Sequence, residues 1–158
     1  MIGVIKLTEK FFIFKLRKMA KKSNQGKTEI TEVPESYQRY LDEIYIISRK
    51  KKGGWVTNKE IAESLKIEPP SVSGMLEKLK KRGLIKWEPR KSIRLTEKGK
   101  SIAKQLDEVH NLLYQFFAEV LKITDKDVIE NLSCEIEHHI THDVKIYLEE
   151  FLSKYLDG

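Results

Sequence analysis

The sequence predicts a mainly α protein: an N-terminal winged helix-turn-helix with a two-stranded wing, followed by an all-α C-terminal half. Three observations predict it. Two short helical segments, "TNKEIAESL" and "PPSVSGMLEKLKKRG", follow each other across a short turn. Two β-prone stretches, "LIKWE" and "SIRLT", flank the turn "PRK" directly after them. From Glu97 onward, apolar residues recur at steps of three and four, the period of amphipathic helices.

Each element can be justified in order. Residues 1–33 are predicted to be a basic, disordered tail: "AKKSNQGKTE" is polar, contains Gly and Ser, and has no periodicity. Met19 stands as an alternative start within it. Residues 34–100 are expected to form the winged helix. "SYQRYLDEIYIISRK" has helical spacing, with Ser36 after Pro34 as its expected cap and Gly53 and Gly54 as breakers. Thr57 with Glu60 three residues on is a capping box for the next helix. Pro69 and Pro70 suit the first turn of the second short helix, and Gly83 closes it. Thr96 is the expected cap of a long helix over 97–121, whose core stripe is Leu106, Val109, Leu113, Phe116, Phe117 and Val120. "KITDKDVIENLS" reads as a turn and a short helix capped by Thr124, and residues 133–156 as one last helix. Residues 101–158 make up the helical second domain.

Composition bounds the function. The chain has 158 residues, is 40% apolar and 34% charged, and carries a net charge of +6. Residues 1–27 hold eight Lys/Arg against one Glu, whereas residues 101–158 hold five against twelve Asp/Glu. A basic first part favours a polyanion partner, and an acidic last part offers carboxylates to a cation. One cysteine excludes an internal disulfide framework and fits a reducing cytoplasm. No apolar run reaches the length of a membrane span, so no membrane partner is expected.

The basic half has the pattern of a DNA reader. A recognition helix needs small or polar residues at its N-terminal end, where it meets base edges. Here those are Pro70, Ser71, Ser73 and Gly74. Lys78, Lys81, Arg90, Lys91 and Arg94 are candidate phosphate contacts from helix and wing. A solvated charged face is the alternative, disfavoured by the ordered set of helix, helix, basic hairpin and "LTEKG".

In "NLSCEIEHHITHD", Cys134, Glu137 and His138 stand at i, i+3 and i+4, one face of a helix. Thiolate, carboxylate and imidazole are metal-ligand types. On these residues alone two readings stand: a metal site, or a surface helix with a buried thiol. Hydrolytic metal chemistry is disfavoured because "EHH" lacks the H-E-x-x-H spacing, and no nucleophile triad or phosphate loop is evident. The protein is accordingly not expected to be an enzyme or to take a small organic substrate.

Together, "YLDEIY", "PPSVSGMLEKLKKRGLI", "LTEKG", His110 and "CEIEHH" resemble the metal-dependent repressors of the diphtheria toxin repressor and manganese transport regulator family, over about residues 36–156. The resemblance implies that Cys134, Glu137 and His138 are metal ligands, joined by His110 on the long helix and Asp42 on the first. It implies a homodimer, formed through the helical half, that binds a palindromic double-stranded operator as a metal-dependent transcriptional repressor. The implied co-repressor is Fe(II) or Mn(II), with Zn(II) or Co(II) able to substitute in vitro. A thiolate ligand weighs against Mn(II). There are departures: Arg39 stands where the family has an Asp or Met ligand, Tyr114 where the iron branch has a Glu, and Gly74 where a polar base-contacting residue is usual. Arg39 is expected to pair with Asp42 in the metal-free state. The SH3-like domain of the larger members is not expected, as the chain ends at Gly158. A metal-independent winged-helix regulator is the alternative.

Overall fold

Local backbone chemistry sets the boundaries of the N-terminal half, in a computed structural model that describes residues 30–88 and 91–156. Helix α1 (Glu35–Arg49) starts directly after Pro34, so Ser36 lies in its first turn and makes no cap. Gly53 and Gly54, with φ of 92° and 65°, then reverse the chain as only glycine does without strain. Helix α2 (Asn58–Leu65) begins with the capping box: the Thr57 hydroxyl accepts from the Glu60 amide, and the Glu60 carboxylate accepts from the Thr57 amide at 2.8 Å. Helix α3 (Pro69–Lys81) has both prolines in its first turn, and Gly83 at φ 68° ends the run. The wing is short. Strands β1 (Ile85–Lys86) and β2 (Arg94–Leu95) pair antiparallel, with Ile85 opposite Leu95 and Lys86 opposite Arg94. A bridge between Val56 and Ile93 pins the wing to the chain just before α2.

The motif "LTEKG" has a mechanical reason. Thr96 donates its amide to the Leu84 carbonyl at 3.0 Å and its hydroxyl to the Gly83 carbonyl at 2.7 Å. The same hydroxyl accepts from the Gly99 amide and so caps helix α4 (Glu97–Gln115). Gly99 is where the helix meets the chain entering β1: a Cβ there would lie 2.0 Å from the Leu84 carbonyl oxygen.

The C-terminal half departs from expectation in three places. The long helix is regular only to Gln115, and Phe116–Val120 form a π-helical turn. The following helix, α5 (Lys126–Ile136), is capped by Asp125 rather than Thr124: its carboxylate accepts from the amides of Asp127 and Val128. Residues 133–156 do not form one helix. After α5 comes a 3-10 turn, Glu137–His139, then an extended Ile140 (ψ 116°), and a new helix, α6 (His142–Leu156). The Thr141 hydroxyl accepts from the Val144 amide, so a polar side chain competes with helix continuation at the break.

The two halves share one core. Leu41 and Ile44 of α1, Ile61 of α2, Leu76 and Leu79 of α3, and Ile102 and Leu106 of α4 are fully buried, with Ile129 of α5 and Leu152 of α6 at 2% exposure. Helix α1 packs along α4 and thereby belongs to both halves. Ile30 and Val33, placed in the tail by sequence, are buried in this core, because a 3-10 turn (Ile30–Glu32) folds them against it. The rest of the expected tail, residues 1–29, lies outside the described residues. On α6 the residues Val144, Tyr147, Phe151 and Tyr155 are exposed, an apolar stripe pointing away from the core. Among the described residues no helix is long and apolar enough to cross a membrane.

Gly99→Ala should destabilise the fold by about 3 kcal/mol or more, since a methyl group cannot coexist with a backbone oxygen at that distance. Gly74→Ala should stabilise it by about 0.5–1 kcal/mol, because nothing lies within 4 Å of its added Cβ and alanine favours the helix. Urea unfolding of the two variants beside the parent checks both signs.

Candidate metal centre and nucleic-acid interface

Glu137 is the centre of the C-terminal cluster. As the C-cap of α5 it still donates its amide to the Ser133 carbonyl, and it is only 2% exposed. One carboxylate oxygen accepts from His110 Nδ1 of α4 at 2.9 Å, and the other lies 3.8 Å from His138 Nε2. Cys134, near the C-terminal end of α5, is exposed, with Sγ 3.8 Å from His110 Nδ1. Hydrogen bonds with Cys134 and Glu137 push the His110 imidazole up to about 11. Burial pulls His138 the other way, below its ordinary value. Asp42 faces this group from α1: burial, then the Glu137 and Glu43 carboxylates, push it up to about 7.

All five predicted ligands therefore converge, though not as one flat helical face. A cleft of about 160 Å³ is lined by Arg39, Asp42, Cys134, Glu137 and His138 among others, while His110 closes the far side of Glu137. Glu130 is a sixth residue that sequence reasoning missed. Its carboxylate is 3.4 Å from His110 Nε2, and donor atoms of His110, Glu130 and Cys134 all lie within 4.8 Å of one another. The signal was available, since Glu130 precedes Cys134 by four residues. Arg39 is exposed at the cleft and makes no ion pair with Asp42 among the described residues, so the expected metal-free pairing does not form. Two imidazoles, a thiol and three carboxylates on separate elements fit a divalent transition metal. A buried acid held back from ionising by its acidic neighbours is the electrostatic mark of a site that a cation would balance.

At the other end, α3 and the wing enclose an open groove of about 720 Å³. Pro70, Ser71, Gly74, Lys78 and Lys81 are exposed along α3. Gly74 lines the groove, as do Lys91 of the wing and, unpredicted, Lys59 and Glu77. Ser73 also lines the groove, and its hydroxyl accepts from Asn58 Nδ2 at 2.8 Å, which ties α3 to α2. Arg94 stacks on Trp55 with the guanidinium 3.3 Å from the ring centroid and donates to the Gly53 carbonyl. Lys91 pairs with Glu88. Arg90 lies outside the described residues.

A winged helix joined through a shared helix to a cluster of metal-ligand side chains defines a metal-responsive DNA-binding regulator. Residues 32–93 match the family described as iron dependent repressor, N-terminal DNA binding domain, and residues 96–156 match iron dependent repressor, metal binding and dimerisation domain. The chain belongs to this family of metal-dependent transcriptional repressors. It is 32% identical over 123 residues to an uncharacterised HTH-type transcriptional regulator of Methanocaldococcus jannaschii, covering 78% of this chain and 97% of that one. It is 33% identical over 106 residues to the HTH-type transcriptional regulator MntR of Bacillus subtilis, covering 67% and 72%. Among solved structures it is similar to the manganese regulator SloR, with 30% identity and a TM-score of 0.62 over 74% of this chain and 53% of that one. Its fold is also that of the T. acidophilum IdeR, with 22% identity and a TM-score of 0.63 over 77% and 55%. The chain thus spans about half the length of these solved relatives.

Asp42→Asn should raise the stability of the metal-free protein at about pH 8 by up to a few kcal/mol. The folded state raises this carboxyl from 3.8 to about 7, so it binds more protons than the unfolded chain between those values. Stability from this group therefore falls as pH rises through that window, and asparagine removes the fall. The parent and variant should converge near pH 4; denaturant titrations at both pH values, with chelator present, measure the difference.

Proposed function

We propose that this protein is a homodimeric repressor whose binding to a palindromic operator depends on Fe(II) or Mn(II), with the ion held by Asp42, His110, Cys134, Glu137 and His138. The observation that carries this reading is the convergence of a ligand from the DNA-binding half, Asp42 on α1, with four from α4, α5 and the turn after it. Asp42, held back from ionising by burial and by the Glu137 and Glu43 carboxylates, would ionise beside a bound divalent cation, which would supply the balancing positive charge. Helix α1 carries Leu41 and Ile44 into the core and packs on α2, which in turn packs on α3, so Asp42 is linked to the recognition helix through α2. The effect on DNA affinity is as large as the difference in metal affinity between the operator-competent and other arrangements. Cys134 favours Fe(II), since a thiolate is a soft donor.

The exposed stripe Val144, Tyr147, Phe151 and Tyr155 on α6 supports a dimer, in which a two-fold axis repeats α3 on both operator half-sites. The groove between α3 and the wing accounts for DNA contact. Gly74 lets the backbone approach the bases, and exposed Lys78 and Lys81 on the same face meet phosphates. A cytoplasmic regulator that acts on DNA is the reading that the family of transcriptional repressors supports.

His138→Ala should remain a folded dimer whose affinity for DNA selected from a random pool no longer responds to anaerobic Fe(II) or Mn(II). Full metal response in that variant would sink the switch and leave a metal-independent winged-helix regulator. In the same anisotropy assay, Lys81→Ala should weaken binding to all duplexes alike and lower the salt slope by about one unit. An unchanged slope would make that charge a merely solvated face.

A further inference from the structure

Gln38 is the buried polar residue that the proposed site does not use. It sits on α1 at 2% exposure, one turn before Asp42, where a chain would ordinarily place an apolar side chain. Its amide is fully committed. Nε2 donates to the carbonyl of Ile30 at 2.8 Å and to that of Val33 at 2.7 Å, which uses both N–H groups. The reverse amide orientation would set an oxygen against two carbonyl oxygens at the same distances, with no proton between them, and is excluded. Oε1 therefore has to be the atom that faces His138 Nδ1, at 3.0 Å.

An amide oxygen only accepts, so His138 Nδ1 must be the nitrogen that carries the proton. In the neutral ring the lone pair then falls on Nε2, the nitrogen 3.8 Å from the Glu137 carboxylate and turned to the centre of the cluster. We propose that Gln38 is a positioning residue: it fixes the tautomer and ring plane of His138 so that Nε2 is presented as the metal donor. It is itself held by the Ile30–Val33 turn. The proposal rests on the reading of His138 as a ligand. It also gives a reason for glutamine over its relatives. Glutamate has no N–H for the two carbonyls, and leucine offers His138 no acceptor.

Two variants separate positioning from bulk structure. Gln38→Leu removes the acceptor, whereas Ile30→Ala loosens the packing of the turn and leaves that acceptor in place. In metal-free protein at a pH where the imidazole is neutral, side-chain nitrogen NMR of the parent should find His138 protonated at Nδ1. Ile30→Ala should keep that tautomer, and Gln38→Leu should lose it. Co(II) affinity, read by chelator competition, should fall about 10–100-fold in Gln38→Leu and stay within about threefold of the parent in Ile30→Ala. A parent protonated at Nε2, or a Gln38→Leu variant that binds Co(II) like the parent, overturns the proposal. So does an equal loss in both variants, which marks a purely structural residue. A parent that binds no Co(II) while keeping Nδ1–H on His138 overturns the metal reading instead, and with it the purpose assigned to Gln38.

Discussion

Much of the C-terminal half is arranged around one constraint: the carboxylate of Glu137 is almost wholly removed from water and must be matched by positive charge or donated protons. His110 meets it from α4, and His138 from its own turn. Glu137 keeps the phase of α5, so it and Cys134, three residues before it, both reach His110 Nδ1, at 2.9 and 3.8 Å. The 3-10 turn starts at Glu137 and re-aims the chain that follows, beginning with His138. The Thr141 hydroxyl then starts α6 afresh. The regular helix is broken where the site is built, as strained or irregular segments often are.

The same constraint explains the interlock of the halves. Helix α1 donates Leu41 and Ile44 to the core, Asp42 to the cluster, and Arg49 to a surface ion pair with Asp107 of α4 at 3.0 Å. The ion pair is exposed and contributes little. Burial of two branched side chains is worth about 3–6 kcal/mol and carries the attachment. Helix α1 packs on α4 on one side and on α2 on the other, so Asp42 is one packed helix away from the helix that carries Ile61. The turn at Ile30–Glu32 adds a further layer, because Gln38 ties its carbonyls to the imidazole of His138.

What the sequence made legible was local. The capping box at Thr57–Glu60, the prolines opening α3, Gly83 after it and the Thr96 cap are each decided by a few neighbouring atoms, and each fell where its chemistry requires. The five ligand-type residues were legible by type, and the role proposed for them comes from the family resemblance. What was not legible depends on tertiary packing. No glycine or proline marks the break at Ile140–Thr141, and continuous apolar spacing hid it. The burial of Ile30 and Val33 depends on a glutamine eight and five residues away. The hydrogen bond that the Ser73 hydroxyl accepts from Asn58 of the neighbouring helix is likewise a tertiary contact with no local signal.

Arg39 shows how a departure from the family pattern can be accommodated without abolishing the site. A guanidinium stays charged at any accessible pH and cannot ligate a cation. Here it is exposed at the mouth of the cleft rather than turned onto Asp42, and its field adds to burial in keeping His138 neutral. A neutral imidazole is the form that can donate a lone pair. The cation next to the site thus works in the same direction as Gln38, one acting on the charge of His138 and the other on its tautomer. The surplus acidity around Glu137 remains: Asp42 stays protonated to about 7 even with His110 charged beside it. One arginine in solvent does not discharge that surplus, whereas a divalent ion held among the carboxylates would.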